Sequence, residues 1–421
     1  PAINSPLQLS MQGIRVSQVD DRKVQFELDS AFHPFESLLT IGILPHHLWA
    51  NLPASNIRLA ELNIKPIGAG PWKFKKLEKD KLGNIYSFTV EPFNEYHGSK
   101  PYIQELTFRF YPDFGTAIEA LNNNKVEGLS FLPRQLIDSV TSTQSYKTHH
   151  LQLPQYTALF LNQDNNPALQ EKAVRQAIAY SLDRNRLIED VIDGLGSKVD
   201  GPLLPGMDSF NKDFEGFPYN PVEAQRLLDE AGWTAISADE YIQKEKERLQ
   251  EESEDEVAGD IVIDTGNQAV FREKDGDFLS IRLTTVDQSE NIRAAELIRN
   301  AWQSIGFKVQ LDIILVSVFT ADVLPSRDYE ALLYGQILNV IPDLYTFWHS
   351  SQIEHPGLNL AGFADADADE LLETARSTSN VEDETEAYRL FQDIIGEELP
   401  AIFLYTPKYT YITPDKLKGF D

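Results

Sequence analysis

Eight histidines are the first residues to weigh for chemistry. They fall as His46-His47, His149-His150 and singles at His33, His97, His349 and His355. Adjacent histidines on a strand or turn face opposite ways, and no HExxH or other two-ligand helical spacing occurs, so they predict no metal site. DADADE, residues 365–370, imitates the opening of a calcium loop. That loop needs Gly at its sixth position and Glu at its twelfth, where this chain has Glu370 and Arg376. Asp365 or Asp367 is expected instead to cap a helix carrying Leu371 and Leu372. There is no GxSxG elbow, and no cysteine to serve as nucleophile or metal ligand. The glycine-rich stretch PIGAGPWKF, residues 66–74, could suggest a phosphate cradle. A phosphate loop needs a helix directly after the glycines, so that its N-terminal amides face the anion. Here an alternating strand pattern follows, Pro71 removes an amide, and no Gly-Lys-Ser/Thr is present. The glycines are read as tight turns aiming a strand that begins at Trp72. With 65 acids, paired carboxylates for hydrolysis are available, but no local pattern selects a pair. Aromatics are plentiful, with 23 Phe, 16 Tyr and 5 Trp, and suit a small-ligand cleft as well as a core.

The elements that must position these residues alternate between strand and helix. Residues 14–29 read as a hairpin turning at Asp20-Asp21, and 72–93 as a second turning at 81–84. A strand follows at 103–111. Helical periodicity then places Ala117, Ile118, Ala120 and Leu121 on one face, before a short apolar strand from Leu129 to Leu132. Residues 151–162 read as one strand containing Pro154. From Asn166, one stripe carries Val174, Ile178 and Leu182 and a second carries Ile188, Val191 and Ile192, stopping at Gly194. NPVEAQRLLDEAGW, residues 220–233, has Asn220 as cap, Pro221 in the first turn and Glu223 three after the cap. The charged run 237–257 reads as a solvated helical insertion. Strands at 279–286, 307–316 and 328–338, helices at 291–306, 368–377 and 384–399, and an extended end complete an α/β pattern.

Composition bounds the partners. A length of 421 residues predicts two lobes or more. A net charge of −28 argues against nucleic acid and against an anionic membrane face. The absence of cysteine fits an exported protein. No apolar run approaches the roughly 20 residues of a membrane helix, and the opening PAINSPLQLSMQGI has no signal-peptide pattern.

Six separated blocks together resemble one family. PIGAGPWKF, PFNEYHGSKPYIQELTFRFYPD, ALNNNKVEGLSFLP, KAVRQAIAYSLDRNRLI, NPVEAQRLLDEAGW and DYEALLYGQILNVIPDLYTFWHSSQ occur in family order. They resemble the family 5 extracellular solute-binding proteins, the peptide, nickel and oligosaccharide receptors of ABC importers. The resemblance implies an α/β fold, a two-lobed clamshell of the periplasmic-binding-protein-like type II class, with a first lobe incomplete at its N-terminus. It implies partial lobe I at 1–152 with 399–421 returning to it, and lobe II at 153–398 with the insertion at about 237–257. Hinge crossings are placed near Pro154 and Pro400. The cleft residues it implies are Leu129, Ser130 and Phe131, which follow Gly128 where the family carries an acid. To these it adds Tyr156, Phe160, Gln336, Ile337, Leu338, Asn339, Phe347, Trp348 and Asn359.

Peptide receptors of the family clamp the peptide's ammonium with an Asp in the region matching 336–340. This chain has none there, and an ammonium buried without a counter-ion costs several kcal/mol. The implied function is an extracytoplasmic receptor, not an enzyme. It would capture a peptide-like solute between its lobes and deliver it to the ABC permease. No cofactor or metal is expected, and the protein should be a monomer in the periplasm or on the cell surface as a lipoprotein, with signal and anchor lying outside this chain. The alternatives are an oligosaccharide receptor of the same class, using amides such as Gln336 and Asn339, and the ligand-sensing module of a signalling protein.

Overall fold

Strand and helix alternate along the chain much as the hydrophobic periods predict. The structure, a computed structural model, describes residues 13–29, 31–32, 34–40, 42–141, 145–252, 262–338 and 343–419. The chain divides into two compact units. One holds Pro1–Ser30, Phe35–Leu151 and Tyr409–Asp421, and the other holds Ala31–Pro34 and Gln152–Lys408.

In the first unit, β1 (Arg15–Asp20) and β2 (Lys23–Glu27) form the expected hairpin, with the Asp20 carboxylate accepting from Arg22 N at 2.8 Å in the turn. A meander follows: β3 (Trp72–Lys79), β4 (Ile85–Pro92) and β5 (Leu106–Arg109), all antiparallel. The β3–β4 turn is built on Asp80, whose carboxylate accepts from Leu82 N and Asn84 N, while Gly83 takes φ +91°. Gly68 and Gly70 correct the expectation made of them. Neither has a positive φ, and a Cβ on either would meet open space, so no tight turn requires glycine there. The helix Phe114–Asn122 is capped by Asp113, which accepts from Thr116 N at 2.8 Å, and it buries Ala117, Ile118, Ala120 and Leu121. Ile118 and Leu121 pack with Leu132 of β6 (Leu129–Leu132) and with Ile412. β7 (Tyr146–Gln152) closes this part of the chain. Residues 151–162 are therefore two strands with a break at Leu153-Pro154, not one, because proline cannot donate to a ladder.

The second unit is a mixed sheet covered on both faces. Its strands run in the order β14 (Lys308–Ile314), β13 (Ser280–Val286), β15 (Ala331–Ile337), β8 (Gln155–Leu161) and the first half of β16 (Ala401–Pro414), with β9 (Gly196–Lys198) on the far side of β16. β13 runs parallel to β14 and β15, and the remaining pairs are antiparallel. Leu159 and Leu161 of β8 enter a core with the helices Lys172–Tyr180, Arg184–Ile192, Pro221–Glu230 and Ser289–Ser304. Tyr156, Ala158 and Phe160 enter the opposite core with the helices Ala366–Ser377 and Val381–Glu398. A strand buried on both faces reads as an unbroken apolar run, as ALFL does.

Caps read from sequence are in place: Asn220 accepts from Glu223 N, and Asp365 accepts from Ala368 N. The helical region after Asn166 is interrupted at Ser181-Leu182-Asp183, where Asp183 caps a new helix by accepting from Arg186 N. The charged run forms a helix, Ala238–Glu252, but it is docked rather than solvated. It belongs with a small sheet, β10 (Thr234–Ser237), β11 (Val270–Lys274) and β12 (Asp277–Phe278), that sequence reasoning missed. Tyr241 stacks on Phe271 at 4.0 Å, and the buried Glu245 pairs with Lys308. The rest of the run, beyond Glu252, lies outside the described residues.

Candidate functional site

Antiparallel pairing of β8 with β15 brings together residues the sequence holds far apart. Tyr156 faces Gln336, and Gln155 faces Ile337. The Tyr156 hydroxyl donates to Gln336 Oε1 at 2.5 Å, and Gln336 Nε2 donates to the carbonyl of Leu358 at 3.1 Å. Burial holds the Tyr156 phenol well above its ordinary pKa, so it remains a protonated donor. The Gln336 amide is thus occupied on both sides by the protein's own groups. Leu338 N donates to the carbonyl of Pro154 at 2.6 Å, which ties the end of β15 to the start of β8.

Behind this pair stands an aromatic wall. Tyr156 meets Phe403 edge-on at 5.1 Å, and Trp348 lies 6.2 Å from Phe160, 5.8 Å from Phe403 and 6.5 Å from Phe391. Tyr156, Phe160, Leu338, Phe347 and Trp348 are all buried in this core. Asn359 is fully enclosed. Its Nδ2 donates to the carbonyls of Trp348, His349 and Phe363, and its Oδ1 accepts from Phe363 N. Ile337 differs from all of these, being 68% exposed. Asn339 lies outside the described residues.

The strand geometry adds candidates the sequence did not single out. β13, β14 and β15 run parallel, so their carboxyl ends share one edge of the sheet, the edge at which ligands of open α/β sheets bind. Asp287 and Leu315 follow β13 and β14 there, both exposed, with Asp287 Oδ1 accepting from Val316 N at 3.1 Å. Their sequence signal is position alone, one residue past a strand of β-branched and apolar residues.

In the first unit, Leu129 is half-buried, whereas Ser130 and Phe131 are exposed. Phe131 holds φ +53°, a left-handed conformation that costs an L-residue about 1–2 kcal/mol. Its ring stacks on Tyr409 at 4.5 Å and 10°.

Comparison with known proteins decides the family. The sequence profile of the bacterial extracellular solute-binding proteins, family 5 (Middle), matches residues 1–354. The chain belongs to this family. Family 5 proteins are substrate-binding receptors of ABC importers, not enzymes. The oligopeptide-binding protein AppA of Bacillus subtilis (strain 168) is 28% identical over 96% of this chain and 69% of its own length. The nickel-binding periplasmic protein of Escherichia coli (strain K12) is 30% identical over 58% of this chain and 46% of its own length, so the match spans less than half of that relative. The structure of Bacillus subtilis AppA in complex with a nonapeptide superposes with a TM-score of 0.71 at 26% identity, covering 98% of this chain and 76% of that one. The α/β fold is accordingly that of the type II periplasmic binding proteins. No helix among the described residues is long and apolar enough to cross a membrane.

Proposed function

We propose that this family 5 protein captures a peptide-like solute outside the cytoplasm and delivers it to the membrane permease of an ABC importer. The observation that carries the reading is the likeness along 98% of the chain to a receptor bound to a nonapeptide. In this reading the protein acts as a monomer in the periplasm or tethered by lipid at the cell surface. Ser130 and Phe131 in the first unit are exposed, and in the second unit so are Ile337 and, past the carboxyl ends of β13 and β14, Asp287 and Leu315; each is proposed as a solute contact in its own unit. Leu129 packs into the core of the first unit instead. The buried Tyr156, Phe160, Gln336, Leu338, Phe347, Trp348 and Asn359 hold the wall behind Ile337 in shape. Asn339 remains a contact candidate on resemblance alone.

Native mass spectrometry of the protein equilibrated with mixed peptides of two to eight residues and mixed oligosaccharides tests this. Retained peptide masses are expected. Since residues 336–340 hold no Asp, N-acetylated and free peptides should be retained alike. Retention of free peptides only would show that a carboxylate outside 336–340 meets the ammonium, with Asp287→Asn the first variant to test. Oligosaccharide masses alone would replace the peptide reading with the sugar receptor, and retention of neither would contradict both.

A further inference from the structure

β6 is not a regular strand, and its irregularity presents one aromatic ring to solvent. Thr410 pairs with Leu132 and Ile412 with Leu129, so β6 carries one residue more than the stretch of β16 it faces. This is the geometry of a β-bulge, a device that re-aims a side chain and that commonly places glycine in the left-handed conformation. Here the left-handed residue is Phe131, at φ +53°. A bulky residue in that region is an outlier, and such strain persists only where the surroundings enforce it. The neighbouring ladder pairs and the stack on Tyr409 enforce it, with ring planes 10° apart at 4.5 Å. Stacking covers one face of the Phe131 ring, yet the residue remains 56% exposed. Its two pairing neighbours on the same strand differ, with Leu132 buried and Leu129 half-buried. The bulge thus turns the one ring of LSFL away from the core that the leucines enter.

We propose that the Phe131–Tyr409 stack is an aromatic platform that binds an aromatic side chain of the peptide-like solute, a specificity that rests on the peptide reading above. Phe131 carries no polar group, so it selects a flat, apolar surface. A third ring laid offset on the pair gains the quadrupole interaction that an aliphatic group of equal bulk lacks. Tyr409 acts through Phe131 as a positioning residue, fixing the plane of its ring.

The test uses hexapeptides with phenylalanine scanned through each position, each compared by calorimetric titration with the same peptide carrying cyclohexylalanine. The two side chains match in bulk and differ in aromaticity. At one position the phenylalanine peptide should bind the parent protein about two- to tenfold tighter. Phe131→Leu keeps an apolar side chain and the same backbone demand but loses the stack on Tyr409, so it should stay folded with a melting midpoint lowered by a few degrees at most, while binding both peptides alike. Equal affinity for both peptides in the parent, or a preference that survives in Phe131→Leu, would overturn the platform and leave the peptide receptor standing. A parent protein that binds no hexapeptide at all would remove the peptide reading and the platform together.

Discussion

Trp348→Ala is expected to destabilise the unliganded protein by about 3–5 kcal/mol. The indole is 1% exposed and lies among Phe160, Phe391 and Phe403. Removing it deletes a large buried apolar surface and leaves a cavity whose rigid aromatic walls relax only in part. For domains of about 150–250 residues each kcal/mol lowers the melting midpoint by about 2–4 °C, so calorimetry should show a fall of roughly 10 °C in the transition of this unit. The size of that loss separates two roles for the same residue. A ring that chiefly lines a ligand surface would lose affinity on truncation and melt close to the parent. A fall of less than about 3 °C without ligand would place Trp348 in that second role.

Asn359→Ala is expected to cost on the order of 3 kcal/mol for a different reason, since little volume is lost. The amide donates to three backbone carbonyls and accepts from one backbone N–H, all enclosed. Truncation strands those groups away from water, and each unsatisfied buried group costs about 1–3 kcal/mol, partly recovered by relaxation. Asn359→Asp should be at least as damaging at neutral pH. The acid keeps the acceptor for Phe363 N but turns a carboxylate oxygen toward three carbonyl oxygens. Denaturant titration of the two variants checks the order. An aspartate variant as stable as the parent would contradict this account of the loop.

Much of the fold is legible in the sequence because the devices that make it are local. Asn220 and Asp365 cap helices at the positions their spacing predicts, and Leu129–Leu132 is a strand with the expected bounds. Legibility fails where the deciding partner is remote. The hydroxyl that satisfies Gln336 belongs to Tyr156, 180 residues away, and no local pattern shows that the Gln336 amide is already occupied. The docking of the charged helix depends on Phe271 and Lys308, far beyond the run itself. Of the site residues carried over by resemblance, Ser130, Phe131 and Ile337 are exposed, whereas most of the others are buried. Position in a motif says which residues neighbour the site in a family, but side-chain burial is settled by packing. The left-handed Phe131 is invisible in LSFL, which reads as an ordinary apolar strand, because a bulge is set by the register of two strands and not by one of them.

The most direct test of the receptor account is the melting midpoint of the protein with and without pooled peptides of two to eight residues. A solute bound only by the folded protein and present at 100 times its dissociation constant adds about 2.7 kcal/mol, which raises the midpoint by several degrees. The account predicts that rise with peptides and none with oligosaccharides at the same concentration. A rise with oligosaccharides alone, or an unchanged midpoint with both, would contradict it.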